Sequence, residues 1–248
     1  MQKEKMYMKT YRMNAVMAGI LYFLGTAFGI GSTIIGGEVI SSIVKTKPLA
    51  GLNILHLVSQ NPSGLLGGAF LILLMGISLA AMTVFLYPLF RKDSEELAMG
   101  MVLFRGALEG TWYFITTLSI LILFALGTEY SATGSDSALL QSLGTVVYQF
   151  QDLLGPVGTT MFLIGASCLY ISFYRTRLLP RWLSIWGLIG VLPYLGYVVL
   201  HFFQMDTGIG FYLQMILALQ EMVMAFWLIL KGFDQAALNR LVSHTPGV

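Results

Sequence analysis

Six long apolar blocks, at about residues 13–35, 64–89, 97–126, 155–174, 181–203 and 208–232, constrain this chain more than any motif does. Each is long enough to cross a hydrocarbon core, which takes about 20 residues of helix. Inside lipid the backbone must satisfy its own hydrogen bonds, so each block is expected to be helical. Only 10% of the residues are charged, where a water-soluble domain carries roughly a quarter. The expectation is an all-α, polytopic membrane protein forming a single six-helix domain over residues 1–248.

Proline supports these limits. Pro62, Pro156 and Pro180 fall in connections or near helix starts. Pro193 lies inside the fifth block, where it should kink the helix or free a carbonyl. The first block is too long for a signal-peptide core and lacks an A-x-A-like site, so it reads as a retained span. Cys168, the one cysteine, excludes an intrachain disulfide.

Orientation follows from lysine and arginine. Lys3, Lys5, Lys9 and Arg12 precede span one, Arg91 and Lys92 follow span two, and Arg175, Arg177 and Arg181 flank the connection between spans four and five. Lys231 and Arg240 end the chain, and with six spans all of these share one side, against Lys45 and Lys47 on the other. The positive-inside rule then places both termini in the cytoplasm, as in a multi-pass protein of a bacterial inner membrane. The bilayer is the expected partner. Basic residues that orientation already explains give no ground for a nucleic-acid partner.

Two outer connections are long, at residues 36–63 and 127–154, and such loops usually carry function or structure of their own. In 135–154, Leu139, Leu140, Leu143, Val146, Val147, Phe150, Leu153 and Leu154 recur at the three-and-four spacing of a short amphipathic helix. Ser135 or Asp136 is a candidate cap. Its polar face lacks Lys and Arg, so this helix is expected to fold onto the outer end of the bundle. Loop 36–63 is patterned for one or two short helical turns.

Three ionisable residues lie deep in the spans: Arg105 and Glu109 in "FRGALEG", and Glu221 in span six. Counted from the cytoplasmic end at about 1.5 Å per residue, they lie at roughly 12, 18 and 16 Å, one layer near the midplane. An unpaired charge there costs about 2.5–3.5 kcal/mol, so pairing is expected. Arg105 and Glu109, at i and i+4, can meet on one face, while Glu221 joins them only if spans three and six are neighbours. Gly106 and Gly110 form a small-xxx-small pair that admits another helix closely.

Two glutamates and one arginine leave a surplus negative charge, to be met by a proton or by a cationic ligand group. Gln214, Gln220, Trp112, Tyr22 and Tyr194 are candidate companions, with Gln214 and Glu221 seven residues apart on one face. Tyr113 and Tyr197 lie nearby, and His201 is placed at the outer interface. No H-E-x-x-H, P-loop or G-x-S-x-G occurs, and His56, His201 and His244 form no ligand set. No metal or cofactor is therefore expected, and an enzyme is the less favoured class.

Three stretches, "AGILYFLGTAFGI", "YRTRLLPRWLSIWGLIG" and "LALQEMVMAFWLILKGF", resemble a bacterial family of small integral membrane proteins, domain-of-unknown-function family 4386. "FRGALEG" is similar to the family's third-span segment. The resemblance implies six membrane helices and carries no activity or site residue. The reading it leaves in front is binding or transport of a small amphipathic or cationic ligand in an outward-facing pocket floored by Arg105, Glu109 and Glu221. The alternatives are a structural or regulatory membrane partner and, third, a metal-independent intramembrane enzyme using a buried glutamate.

Overall fold

The computed structural model describes residues 2–43, 54–133, 137–205 and 208–243, with side chains from residue 10 onward. Lys45, Lys47, Ser135, Asp136 and His244 lie outside the described residues. Helix α1 (Gln2–Ile43) is followed by α2 (Ile54–Gln60) and α3 (Pro62–Phe90). One continuous rod then comprises α4 (Glu95–Met101), a π-helical segment (Val102–Leu108) and α5 (Glu109–Thr133). It is followed by α6 (Ala138–Thr176), α7 (Arg181–Phe202), α8 (Gly210–Leu230) and α9 (Gln235–Ser243). Among the described residues six helices are long and apolar enough to cross a membrane, and no strand is present.

Local chemistry sets the helix ends. Asn61 accepts the Gly64 N–H at 3.0 Å with Pro62 in the first turn, which satisfies an orphan donor where a missing proline N–H costs nothing. Ser94 accepts the Leu97 N–H at 3.3 Å, ahead of Glu95 and Glu96 in the first turn. Helix α6 starts on Ser137, which accepts the Leu140 N–H at 3.3 Å, and ends at Arg177 in the left-handed region, φ 55°. Within α1 the backbone breaks at Gly37, φ 66° and ψ −147°, a conformation that residues with a Cβ avoid.

The amphipathic stretch in 135–154 is helical, but it runs unbroken into the fourth span, with Pro156 inside the helix. Its apolar stripe is divided. Leu140 and Val147 pack inward, whereas Leu139, Leu143, Val146, Phe150 and Leu153 are exposed. The expected fold-back onto the bundle is corrected accordingly: the 39-residue helix continues without a break instead of turning back. The bundle end is covered instead by α2, whose Ile54, Leu55 and Val58 are buried against α5 and α6. A Cβ on Gly127 would meet Val58 Cγ1, so α5 could not come this close with any larger residue there.

The six spans close into a ring in chain order. Each packs against the next, and α8 returns to α1. Span six is therefore flanked by spans one and five, and span three stands across the ring from it. At one end Arg12 Nη2 donates to the carbonyls of Ile229 and Leu230 at 2.9 and 3.1 Å, capping the exit of α8 with positive charge where the helix dipole favours it. Asp234 N–H donates to Leu178 C=O at 3.0 Å, and Arg175 pairs with Asp93 at 2.9 Å. The start of span one, both short connections and the end of span six thus share one end.

Candidate functional site: a buried arginine shared by four spans

The third span reaches the bundle interior through its π segment. The Glu109 N–H points back to Phe104 C=O, five residues earlier, across the Val102–Leu108 turn. Such wide turns are rare and concentrate at functional positions. Both flanks of this turn are tightly packed. A Cβ on Gly106 would lie 3.0 Å from Thr83 Oγ1, and one on Gly110 would lie 3.7 Å from Ala80 Cβ. The glycine pair thus faces span two. On the opposite side a Cβ on Gly165 of α6 would lie 2.5 Å from the Arg105 backbone nitrogen. Glycine at 165 is what lets span four lie directly against Arg105.

Arg105 is 1% exposed, and its guanidinium is spread over three spans besides its own. Nη1 donates to Glu109 Oε1 at 2.9 Å and Oε2 at 2.8 Å. Nη2 donates to Tyr22 Oη at 2.8 Å and to Glu221 Oε1 at 3.0 Å. The Tyr22 hydroxyl donates in turn to Glu221 Oε1 at 2.7 Å, and the Tyr170 hydroxyl donates to the same oxygen at 3.3 Å. The guanidinium also lies 4.5 Å from the Phe162 ring centroid and 5.3 Å from that of Tyr22, close enough for cation–π attraction. Nε alone is buried with no partner among the described residues. A charge this far from water is sustained only by such pairing.

The cluster holds one guanidinium against two carboxylates. Glu109 is committed, with both oxygens facing Nη1 and the Tyr113 phenol beside it. Glu221 is not. Oε1 takes three donors, whereas Oε2 takes none among the described residues. Glu221 is also the most exposed of the three, at 9% against 1% for each of the others.

The expectation that Glu221 meets Arg105 only if spans three and six adjoin is corrected. The two spans face each other across the ring, and the contact forms through its centre because arginine is long and Tyr22 and Tyr170 fill the remaining distance.

The other candidates divide. Tyr22, 0% exposed, is central. Gln220 is buried but turned away, donating from Nε2 to Leu183 C=O at 3.0 Å. Gln214 is exposed, although the buried residues of α8 include Gly210 and Leu217 on either side of it. The Trp112 ring lies tilted against that of Tyr113, centroids 4.6 Å apart, and packs on Gly158. Tyr194 is buried near Thr159 rather than on Arg105. His201, placed at the interface by its position, is 5% exposed and faces Tyr197 Oη at 3.2 Å and Asp152 at 3.9 Å. The pocket expected on the outer side is not what encloses the cluster here; close packing is. Tyr170 and Phe162 went unrecognised in the sequence. Counting depth finds Phe162 in the arginine layer, whereas Tyr170 is offset toward the helix end and gives no such signal.

Among the described residues no group of three His, Cys, Asp or Glu is placed to hold a metal ion. The sequence model of one family, described as "Domain of unknown function (DUF4386)", matches residues 17–232. No curated protein and no solved structure matches the chain.

Proposed function

The chain belongs to the DUF4386 family of domains of unknown function, and from its site we infer that it binds a small cationic or amphipathic ligand within the membrane. One observation carries this reading: the cluster has two carboxylates for one arginine, and among the described residues Glu221 keeps one oxygen without a donor. Glu109 and Tyr22 already join Arg105 to spans three and one, and Glu221 adds span six together with a second carboxylate. The second glutamate adds a negative charge that must be matched by a proton or a ligand cation.

The arrangement supports a route for access. Arg105 and Glu109 ride together on span three, and Glu221 rides on span six, whose packing among the described residues is mainly against its two ring neighbours, spans one and five. Displacing span six opens the Glu221 side of the cluster and leaves the Arg105–Glu109 pair intact. Alternation of that movement between the two membrane faces would make the same site a transport site. With the basic end on the cytoplasmic side of a bacterial inner membrane, the end covered by α2 is the outer one.

The near-complete burial of Arg105 and Glu109 favours a second reading, in which the cluster only fixes the register of spans one, three, four and six. Glu221→Gln separates the two. The ligand-binding reading expects a folded protein that has lost its ligand. The structural reading expects no change in binding. A density map of the protein purified from its native membrane supplies the complementary test, since a co-purified molecule against Glu221 supports the first reading alone.

A further inference from the structure

At the basic end of the ring, well away from the arginine cluster, an open cavity of about 630 Å³ lies between the α6–α7 connection and the segment joining α8 to α9. Four cationic side chains line it: Arg177 and Arg181 from one wall, Lys231 and Arg240 from the other. Asp234 is the one acidic residue in the lining. Among the described residues none of the four cations is ion-paired, although Arg175, two residues from Arg177, is paired to Asp93. Arg181 lies over the Tyr174 ring at 4.7 Å and Lys231 over the Trp227 ring at 4.2 Å. These contacts hold the two charged groups against aromatic faces, and among the described residues neither group is in an ion pair.

The fold constructs this cavity deliberately tight at its base. Gly232 turns the chain at φ 74°, and a Cβ there would meet Arg12 Nη1. Asp234 then caps α9, accepting the Ala237 N–H at 2.8 Å, while its own N–H is tied to Leu178. The two walls are therefore joined by a backbone hydrogen bond.

We propose that this cavity holds the phosphate of an anionic phospholipid headgroup. Its net lining charge is strongly positive, and guanidinium groups match phosphate oxygens geometrically. Its level in the membrane argues for a lipid over a soluble anion. Trp182, Trp186 and Trp227 gather beside it, with ring centroids 6.3 Å apart in each of two pairs, and tryptophans collect at the headgroup layer. Leu230, 73% exposed, and Trp182, 50% exposed, offer apolar surface next to the charges, where acyl chains would lie. Basic recesses between spans on the cytoplasmic side are suited to this ligand class.

The test is native mass spectrometry of the full chain released from mixed phosphatidylglycerol and phosphatidylcholine bilayers. Wild type is expected to retain phosphatidylglycerol over phosphatidylcholine by at least about tenfold. The triple variant Arg177→Gln, Arg181→Gln, Lys231→Gln changes exposed side chains only and is expected to lose at least about tenfold of that retention. The pair Arg91→Gln, Lys92→Gln, at the same end but outside the cavity, is expected to keep it. Equal retention of the two lipids by wild type, or equal losses in the triple variant and the control pair, would overturn the proposal. So would displacement-free binding of inorganic phosphate at this site without lipid preference, which would assign the cavity to a soluble anion.

Discussion

Arg105 and Glu221, on spans that face each other across the ring, are joined at 3.0 Å through its centre. That contact, with the two tyrosines around it, ties span six to span three, although the two do not pack as neighbours. It divides the polar layer into a pair within span three, Arg105–Glu109, and a carboxylate carried by span six, Glu221.

The pair within span three should be costly to break. Both Glu109 oxygens face Nη1, so an amide at Glu109→Gln sets donor against donor. Removing one partner of a buried pair costs about 3–5 kcal/mol. Glu109→Gln and Arg105→Met should each lower the thermal midpoint in detergent by corresponding amounts. The double variant should lose less than their sum, because each single variant already breaks the same Arg105–Glu109 pair.

Glu221→Gln should behave differently. The amide oxygen can stay at the Oε1 position and keep its three donors, and the amide nitrogen takes the place of Oε2, which has no donor to oppose it. Thermal unfolding of this variant is expected to shift less than that of Glu109→Gln.

Tyr22→Phe removes a hydroxyl that accepts from Arg105 and donates to Glu221. Losing a buried hydrogen bond to charged groups costs about 1.5–3 kcal/mol. The melting curve should place this variant between Glu221→Gln and Glu109→Gln.

Two glycines in the same layer should tolerate alanine unequally. At Gly165 the added methyl strikes the Arg105 backbone, which cannot yield as a side chain would, whereas at Gly110 it meets Ala80 at ordinary contact distance. Gly165→Ala should destabilise by about 1–3 kcal/mol, the usual range for overpacking, and Gly110→Ala should be near neutral by the same melt.

Much of this was legible in the sequence because helix rise is fixed. Counting residues from the basic ends of spans three and six was enough to put Arg105, Glu109 and Glu221 in one layer. The i, i+4 spacing gave the pair, and Gly106 and Gly110 announced a close helix, which is span two. What counting cannot give is the order of helices around a ring, and so the condition set for Glu221, that spans three and six be neighbours, proves unnecessary. The π segment went unrecognised in the sequence, and it lies packed between Gly165 on one side and Thr83 on the other. Gln214 shares the angular position of Glu221 to within about 20°, yet two turns earlier in α8 that edge is not covered. The amphipathic pattern of 138–154 identified a helix but not its continuity through Pro156, since a loop and a rigid extension share one periodicity.

The central claim is that Glu221 supplies a charge the cluster itself does not need. Its most direct test is an equilibrium binding series on purified wild-type and Glu221→Gln protein with organic cations, tetramethylammonium through tetrabutylammonium and tetraphenylphosphonium. The account predicts saturable binding of at least one member by wild type, weakened by about tenfold or more in the variant, as loss of a close buried charge partner requires. No binding across the series, or equal affinity in both proteins, would contradict it.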